Sequence, residues 1–99
     1  MKIYVDIDET IAYILGKHGR DYKKALPVPE NIAKINKLFD AGHEITYWTA
    51  RGATTGIDWT EVTQRQLKAW GCKHHNLSVG DKPEFDMLID DKAKRIEEI

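Results

Sequence analysis

Two aspartates separated by a single residue, Asp6 and Asp8, close the first apolar run of the chain. In extended backbone, side chains two apart leave on the same side, ~6–7 Å apart along the strand, so one carboxylate can attack an electrophile while its neighbour handles a proton. Other chemistry-bearing residues follow in a definite order. Thr49 ends a second apolar run and is followed by Ala50, Arg51 and Gly52; Lys82 comes after the turn residue Gly80; Asp90 and Asp91 end a last apolar run. Each has a plain alternative when taken alone. An aspartate pair can open a turn, Asp90-Asp91 can cap a helix, threonine is common in strands, and a lone lysine is usually solvated. What gives them meaning together is that they recur at the ends of successive apolar runs, the place where an open parallel sheet gathers its ligands.

The elements that must position these residues can be read from periodicity. Ile3, Tyr4, Val5 and Ile7 form a nearly continuous β-branched run suited to a strand buried on both faces. Residues 10–28 lose that pattern to Gly16, Gly19 and the polar or basic residues Lys17, His18, Arg20, Lys23 and Lys24, which predicts an exposed flap. Pro29 opens a helix with Ile32, Ile35, Leu38 and Phe39 on one face, and Gly42 stops it. Residues 44–49 predict the next strand and 50–56 a small-residue loop. Asp58 and Glu61 have the spacing of a capping pair for a second helix, which carries Trp59, Val62, Leu67 and Trp70 and ends at Gly71. Short strands at 77–79 and 85–89 and a terminal helical segment at 92–99 complete the list. Strand and helix alternate, so the expected fold class is α/β, with right-handed crossovers, a small mostly parallel sheet and helices on both faces. The 80–84 connection is too short for a full crossover helix, which leaves the last strand's place open.

Composition sets the outer limits. The chain has 99 residues, 41% hydrophobic and 31% charged, which is the mix of one ordinary globular domain spanning 1–99. Its formal charge of -1 supplies no overall basic field, so no nucleic-acid partner is expected. No apolar run reaches the ~18–20 residues of a membrane span, no secretion signal is apparent, and Cys72 is the only cysteine. The expectation is a cytoplasmic protein with no membrane partner. Cys72, His74, His75 and His43 are zinc-ligand types without paired spacing, and structural roles are the simpler reading. Trp48, Trp59 and Trp70 read as packing residues, with Trp59 nearest the glycine-containing loop.

The ordered set Asp6-Ile7-Asp8-Glu9-Thr10, Thr49, Lys82 and Asp90-Asp91 resembles the signature of the haloacid dehalogenase superfamily of phosphotransferases, and the resemblance runs from Met1 to about Ala93. Residues 47–52 (Tyr-Trp-Thr-Ala-Arg-Gly) and 82–93 look most like its small capless phosphatases linked to capsule and surface-polysaccharide biosynthesis. The resemblance implies a Rossmannoid three-layer sandwich and a Mg²⁺-dependent phosphomonoester hydrolase. Asp6 would be the nucleophile that forms an aspartyl-phosphate, and Asp8 the acid and then base. Thr49 and Lys82 would contact the phosphoryl group. Asp6, the backbone carbonyl of Asp8, and Asp90 would hold Mg²⁺, and Asp91 would support the metal or Lys82. The gaps between elements leave no room for a cap domain, so the open site would leave substrate choice to the flap, to the loop of Ala50, Arg51 and Gly52, or to a neighbouring subunit in a homo-oligomer acting as a lid. Arg51 is the leading specificity residue. Its planar fork could grip a second anionic group or pair with a nearby carboxylate.

Electrostatics requires positive charge in such a site independently of any resemblance. A carboxylate meeting a phosphate dianion at ~4 Å with an effective dielectric near 20 is opposed by on the order of 8 kcal/mol. A divalent cation and an ammonium group can offset that, and an all-oxygen ligand set favours Mg²⁺. The expected substrate is a small phosphorylated metabolite, a sugar phosphate or related precursor. The alternatives are a nucleic-acid or nucleotide phosphatase, or a signalling domain that accepts phosphate on aspartate without turnover.

Overall fold

The computed structural model describes residues 1–15, 21–53, 55–80, 87–89 and 96. In chain order the elements are β1 (Lys2–Asp6), β2 (Ala12–Tyr13), a 3-10 turn (Tyr22–Lys24), β3 (Leu26–Pro27), α1 (Pro29–Asp40), β4 (Glu44–Thr49), α2 (Thr60–Ala69), β5 (Asn76–Val79) and β6 (Met87–Ile89). The main sheet has the order β5-β4-β1-β6, and every pairing in it is parallel. Alternation then decides what is buried. Ile3 and Val5 lie level with Ile45 and Tyr47, and all four are fully buried on one face. Ile89, beside Val5 in β6, joins the same core.

Ile32 and Ile35 of α1 and Leu67 of α2 complete that core. Each helix ends with the same pair of backbone hydrogen bonds, which satisfies carbonyls of the last turn. In α1, Gly42 N–H donates to Phe39 and His43 N–H to Leu38; in α2, Gly71 donates to Lys68 and Cys72 to Leu67. Asn36 on α1 bridges to the end of α2, donating to Gly71 O at 3.0 Å and accepting from Lys73 N at 2.8 Å. The expected terminal helical segment 92–99 lies, Ile96 apart, outside the described residues, and the two described helices are neighbours on one face. The reason is topological. The path from β1 to β4 to β5 steps across the sheet in a single direction, and two right-handed crossovers in the same direction place both helices on the same side.

The segment after β1 is also less exposed than its composition predicts. Thr10, Ile11 and Ala12 are buried, as is Ala25. Ile7 O accepts backbone hydrogen bonds from Thr10, Ile11 and Ala12, so the chain turns back over the end of β1. It continues into the antiparallel β2–β3 pair, and Val28 N–H returns to Ile11 O at 2.8 Å. Of the predicted flap, Lys23 and Lys24 are exposed in the 3-10 turn, whereas Lys17, His18 and Arg20 lie outside the described residues. Among the described residues no helix is long and apolar enough to cross a membrane.

Candidate active site

Strands β1 and β4 are adjacent and in register, with Asp6 level with Trp48, so their carboxyl ends open at one edge of the sheet. A cleft of about 320 Å³ lies there, and Asp6, Asp8, Thr49, Ala50, Arg51 and Gly52 all line it. The sequence-predicted pair Asp6 and Asp8 thus does face one space. Asp6 Oδ1 accepts the backbone N–H of Ile7 at 2.8 Å, which fixes the carboxyl at the strand end. Asp8 sits at the start of the turn, and the next residue, Glu9, has φ 66°, a left-handed conformation unusual for a side chain of its length. That reversal carries the chain away from the cleft while leaving Asp8 facing it.

Arg51 is the most constrained polar residue of the site. It is 2% exposed and grips Asp8 with a two-point fork, Nε to Oδ2 at 2.9 Å and Nη2 to Oδ1 at 2.8 Å. Its Nη1 donates to Thr63 Oγ1 at 3.1 Å and Gln66 Oε1 at 2.6 Å, both on α2. The guanidinium carbon stands 4.8 Å from the centre of the Tyr22 ring, within cation–π range. Gln66 Nε2 donates in turn to Tyr22 O, which ties the 3-10 turn to α2. Thr49 joins from β4: its hydroxyl accepts Arg51 N–H at 3.2 Å and approaches Asp8 Oδ2 at 3.5 Å. Of the two fates expected for Arg51, the structure shows the carboxylate pair. Both arms of its fork are on Asp8 in this structure.

Gly52 is required by the loop that walls the cleft. It has φ +82°, and a Cβ there would lie 1.9 Å from Ile57 O and 3.1 Å from Trp59 Cδ1. The loop closes with Ala53 N–H on Ala50 O and Gly56 N–H on Gly52 O. Tyr22, Ile57 and Trp59 also line the cleft. Tyr22 and Ile57 were not anticipated from the sequence, nor were Thr63 and Gln66 behind Arg51. The expected capping pair of α2 divides: Asp58 Oδ1 accepts Thr60 N–H at 2.9 Å, whereas Glu61 pairs with Arg65. Hydrogen bonds from the Thr60 side chain and backbone hold the pKa of the Asp58 carboxyl below its ordinary value.

Lys82, Asp90 and Asp91 lie outside the described residues. β6 ends at Ile89, level with Val5, and Asp90 is next in sequence. Among the described residues no group of three His, Cys, Asp or Glu side chains could hold a metal ion. The Asp6 carboxylate in the cleft is a hard oxygen donor that suits Mg²⁺, and with the backbone carbonyl of Asp8 it belongs to the expected set. The described histidines have structural partners. His75 Nδ1 accepts Ile45 N–H and its ring stacks on Phe39; His74 meets Tyr47 edge-on and contacts Cys72 O; His43 contacts the N-terminal amine.

No family model and no curated protein matches the chain. A crystal structure of a target protein from Vibrio cholerae has a similar fold, with a TM-score of 0.67 and 24% sequence identity, over 84% of this chain and 72% of that one. The chain is a small α/β domain built on a parallel sheet.

Proposed function

We propose that this chain is a Mg²⁺-dependent phosphomonoester hydrolase of the haloacid dehalogenase type, acting on a small phosphorylated metabolite such as a sugar phosphate. The observation that carries the reading is the convergence of Asp6, Asp8 and Thr49 in one cleft at the carboxyl edge of a parallel sheet. The ordered motif that continues through Lys82 and Asp90-Asp91 supports it.

In this reading an Asp6 carboxylate oxygen bonds to phosphorus as the ester P–O bond breaks, and Asp8 gives the departing oxygen its proton. Water then attacks the phosphorus of the aspartyl-phosphate as Asp8 takes its proton, the bond from the Asp6 oxygen to phosphorus breaks, and inorganic phosphate leaves with the Asp6 carboxylate restored. A carboxylate has about four lone-pair sites, so the Arg51 fork leaves Asp8 acceptor capacity toward the cleft. Thr49 and Lys82 hold the phosphoryl oxygens. The described lining sets two carboxylates against one guanidinium, so that lining favours a dianion only with further positive charge, which Lys82 and Mg²⁺ would supply in this reading. Asp6, the Asp8 carbonyl and Asp90 would hold Mg²⁺, whose charge would stabilise the phosphoryl oxygens.

The test is a screen of phosphate esters with and without Mg²⁺, run beside Asp6→Asn and Asp8→Asn. Expected are loss of turnover on chelation and in Asp6→Asn, and in Asp8→Asn a loss that is greatest for poor leaving groups. Steady turnover also separates this reading from a phospho-accepting signalling domain. Undiminished activity in Asp6→Asn would end the covalent mechanism.

A further inference from the structure

Part of the cleft lining is not used by the carboxylate chemistry. That part includes Tyr22, Ile57 and Trp59. Ile57 is 54% exposed, a large apolar surface left at the cleft mouth, and Trp59 is half-buried beside it. The Tyr22 and Trp59 rings meet at 83° with centres 5.1 Å apart, so they form a right-angled aromatic corner.

Two features show that this corner is built in. Gly52 leaves no space between its Cα and the Ile57 carbonyl, so the backbone seats both Ile57 and Trp59 against the loop. Tyr22 is held from behind by the Arg51 guanidinium over its ring and by Gln66 on its carbonyl. The wall is therefore set before any ligand arrives, which lowers the ordering cost of binding. Its charge is equally informative. Arg51 is the only cationic side chain among the described lining residues, and both arms of its fork are on Asp8. Among the described lining residues a second anionic group would meet an apolar surface and two carboxylates, and no free cation.

We infer, building on the phosphatase reading above, that the leaving group of the substrate is an electrically neutral ring whose apolar face packs on Ile57 and Trp59. The substrate class is then a monophosphate of a ring compound, aryl or sugar, with no second anion beside the scissile bond. The shared recognition chemistry is the apolar face of the ring.

Non-hydrolysable phosphonates test this without turnover. With Mg²⁺ present, calorimetry should show phenylphosphonate binding about tenfold tighter than methylphosphonate, from one ring face removed from water, and phosphonoacetate binding no tighter than methylphosphonate. In Ile57→Ala and Trp59→Ala the phenyl preference should shrink to about threefold or less, and Trp59→Phe should restore most of it. Ile57 is exposed enough that its variant carries the test if Trp59→Ala fails to fold. Turnover of phenyl phosphate and glucose 6-phosphate against glycerol phosphate then tells which kind of ring is used, and equal turnover of all three overturns the inference. Equal binding of phenyl- and methylphosphonate, or tightest binding of phosphonoacetate, also overturns it. These results leave the Asp6 chemistry untouched, whereas a chain that binds phenylphosphonate at this wall yet turns over no ester defeats the phosphatase reading alone.

Discussion

If Arg51 holds Asp8, and not substrate, then removing its guanidinium should cost stability and chemical rate together. Consider Arg51→Met, which keeps much of the side-chain volume and deletes the fork. Two charge-assisted hydrogen bonds to Asp8, at 2.9 and 2.8 Å, disappear, and Thr63 and Gln66 lose their donor. Breaking a buried ion pair by deleting one partner typically costs about 3–5 kcal/mol, because the other charge stays behind. The Asp8 side chain is 25% exposed and can regain some water, which places the expected loss near the lower end, about 3 kcal/mol. For a domain of this size that is on the order of 15 °C in Tm. Arg51→Lys keeps the charge but not the planar fork, and should recover less than half of the loss.

The decisive measurement is a double-mutant cycle with Asp8→Asn, read by urea unfolding. If the pair is what stabilises, the two losses overlap, with a coupling of about 2 kcal/mol. Kinetics on a substrate the parent turns over then separates positioning from grip. A positioning residue lowers kcat with little change in KM, whereas a residue that grips the substrate raises KM with kcat intact. Coupling below about 0.5 kcal/mol, or a pure KM effect, would refute the assignment of Arg51 to Asp8.

Three other outcomes follow from local geometry. Gly52→Ala should displace the loop that carries Ile57 and Trp59, since its Cβ would sit 1.9 Å from a backbone oxygen; a loss on the order of 2–3 kcal/mol in chemical unfolding is expected, with weakened phenylphosphonate binding. Glu9, exposed at φ 66°, should accept glycine with a gain of up to about 1 kcal/mol, whereas Glu9→Val should lose at least that much in the same assay. Burial pushes the Cys72 thiol from 9.0 up to about 11, so the unfolded chain releases its proton at lower pH than the native one does. Stability should therefore fall as pH rises from about 9 to 11, by about 2–3 kcal/mol, and Cys72→Ala should flatten that part of the slope in pH-dependent melting. Burial raises the Tyr47 hydroxyl in the same direction.

The sequence disclosed those parts of the fold whose cause is local. The 44–49 run is β-branched and aromatic after Glu44 and forms β4 over those same residues; Pro29 and Gly42 bracket α1 because one suits the first helical turn and the other the stop. The turn after β1 was hidden, since its hydrogen bonds converge on the single Ile7 carbonyl and its left-handed residue is a glutamate where composition would have advertised a glycine. The side on which the helices lie was hidden for another reason. It depends on strand order, and strand order is set by pairings between residues some 40 positions apart, such as Val5 with Tyr47.

Asp6 and Thr49 were legible as the residues that end β1 and β4, and Asp8 as the neighbour two positions on, but the fate of Arg51 was not. Its partners Thr63 and Gln66 are 12 and 15 residues further on, and they meet it only through the rotation of α2 about its axis. One clue was nevertheless present. Thr63 falls on the same helical face as Leu67, and a polar group on a face that must be buried demands a polar partner. Among nearby residues able to reach across to it, an arginine following a strand-end threonine is a natural donor. The same reasoning, applied to the apolar Ile57 left standing in water beside two carboxylates, is what directs attention to the leaving group and away from the phosphate.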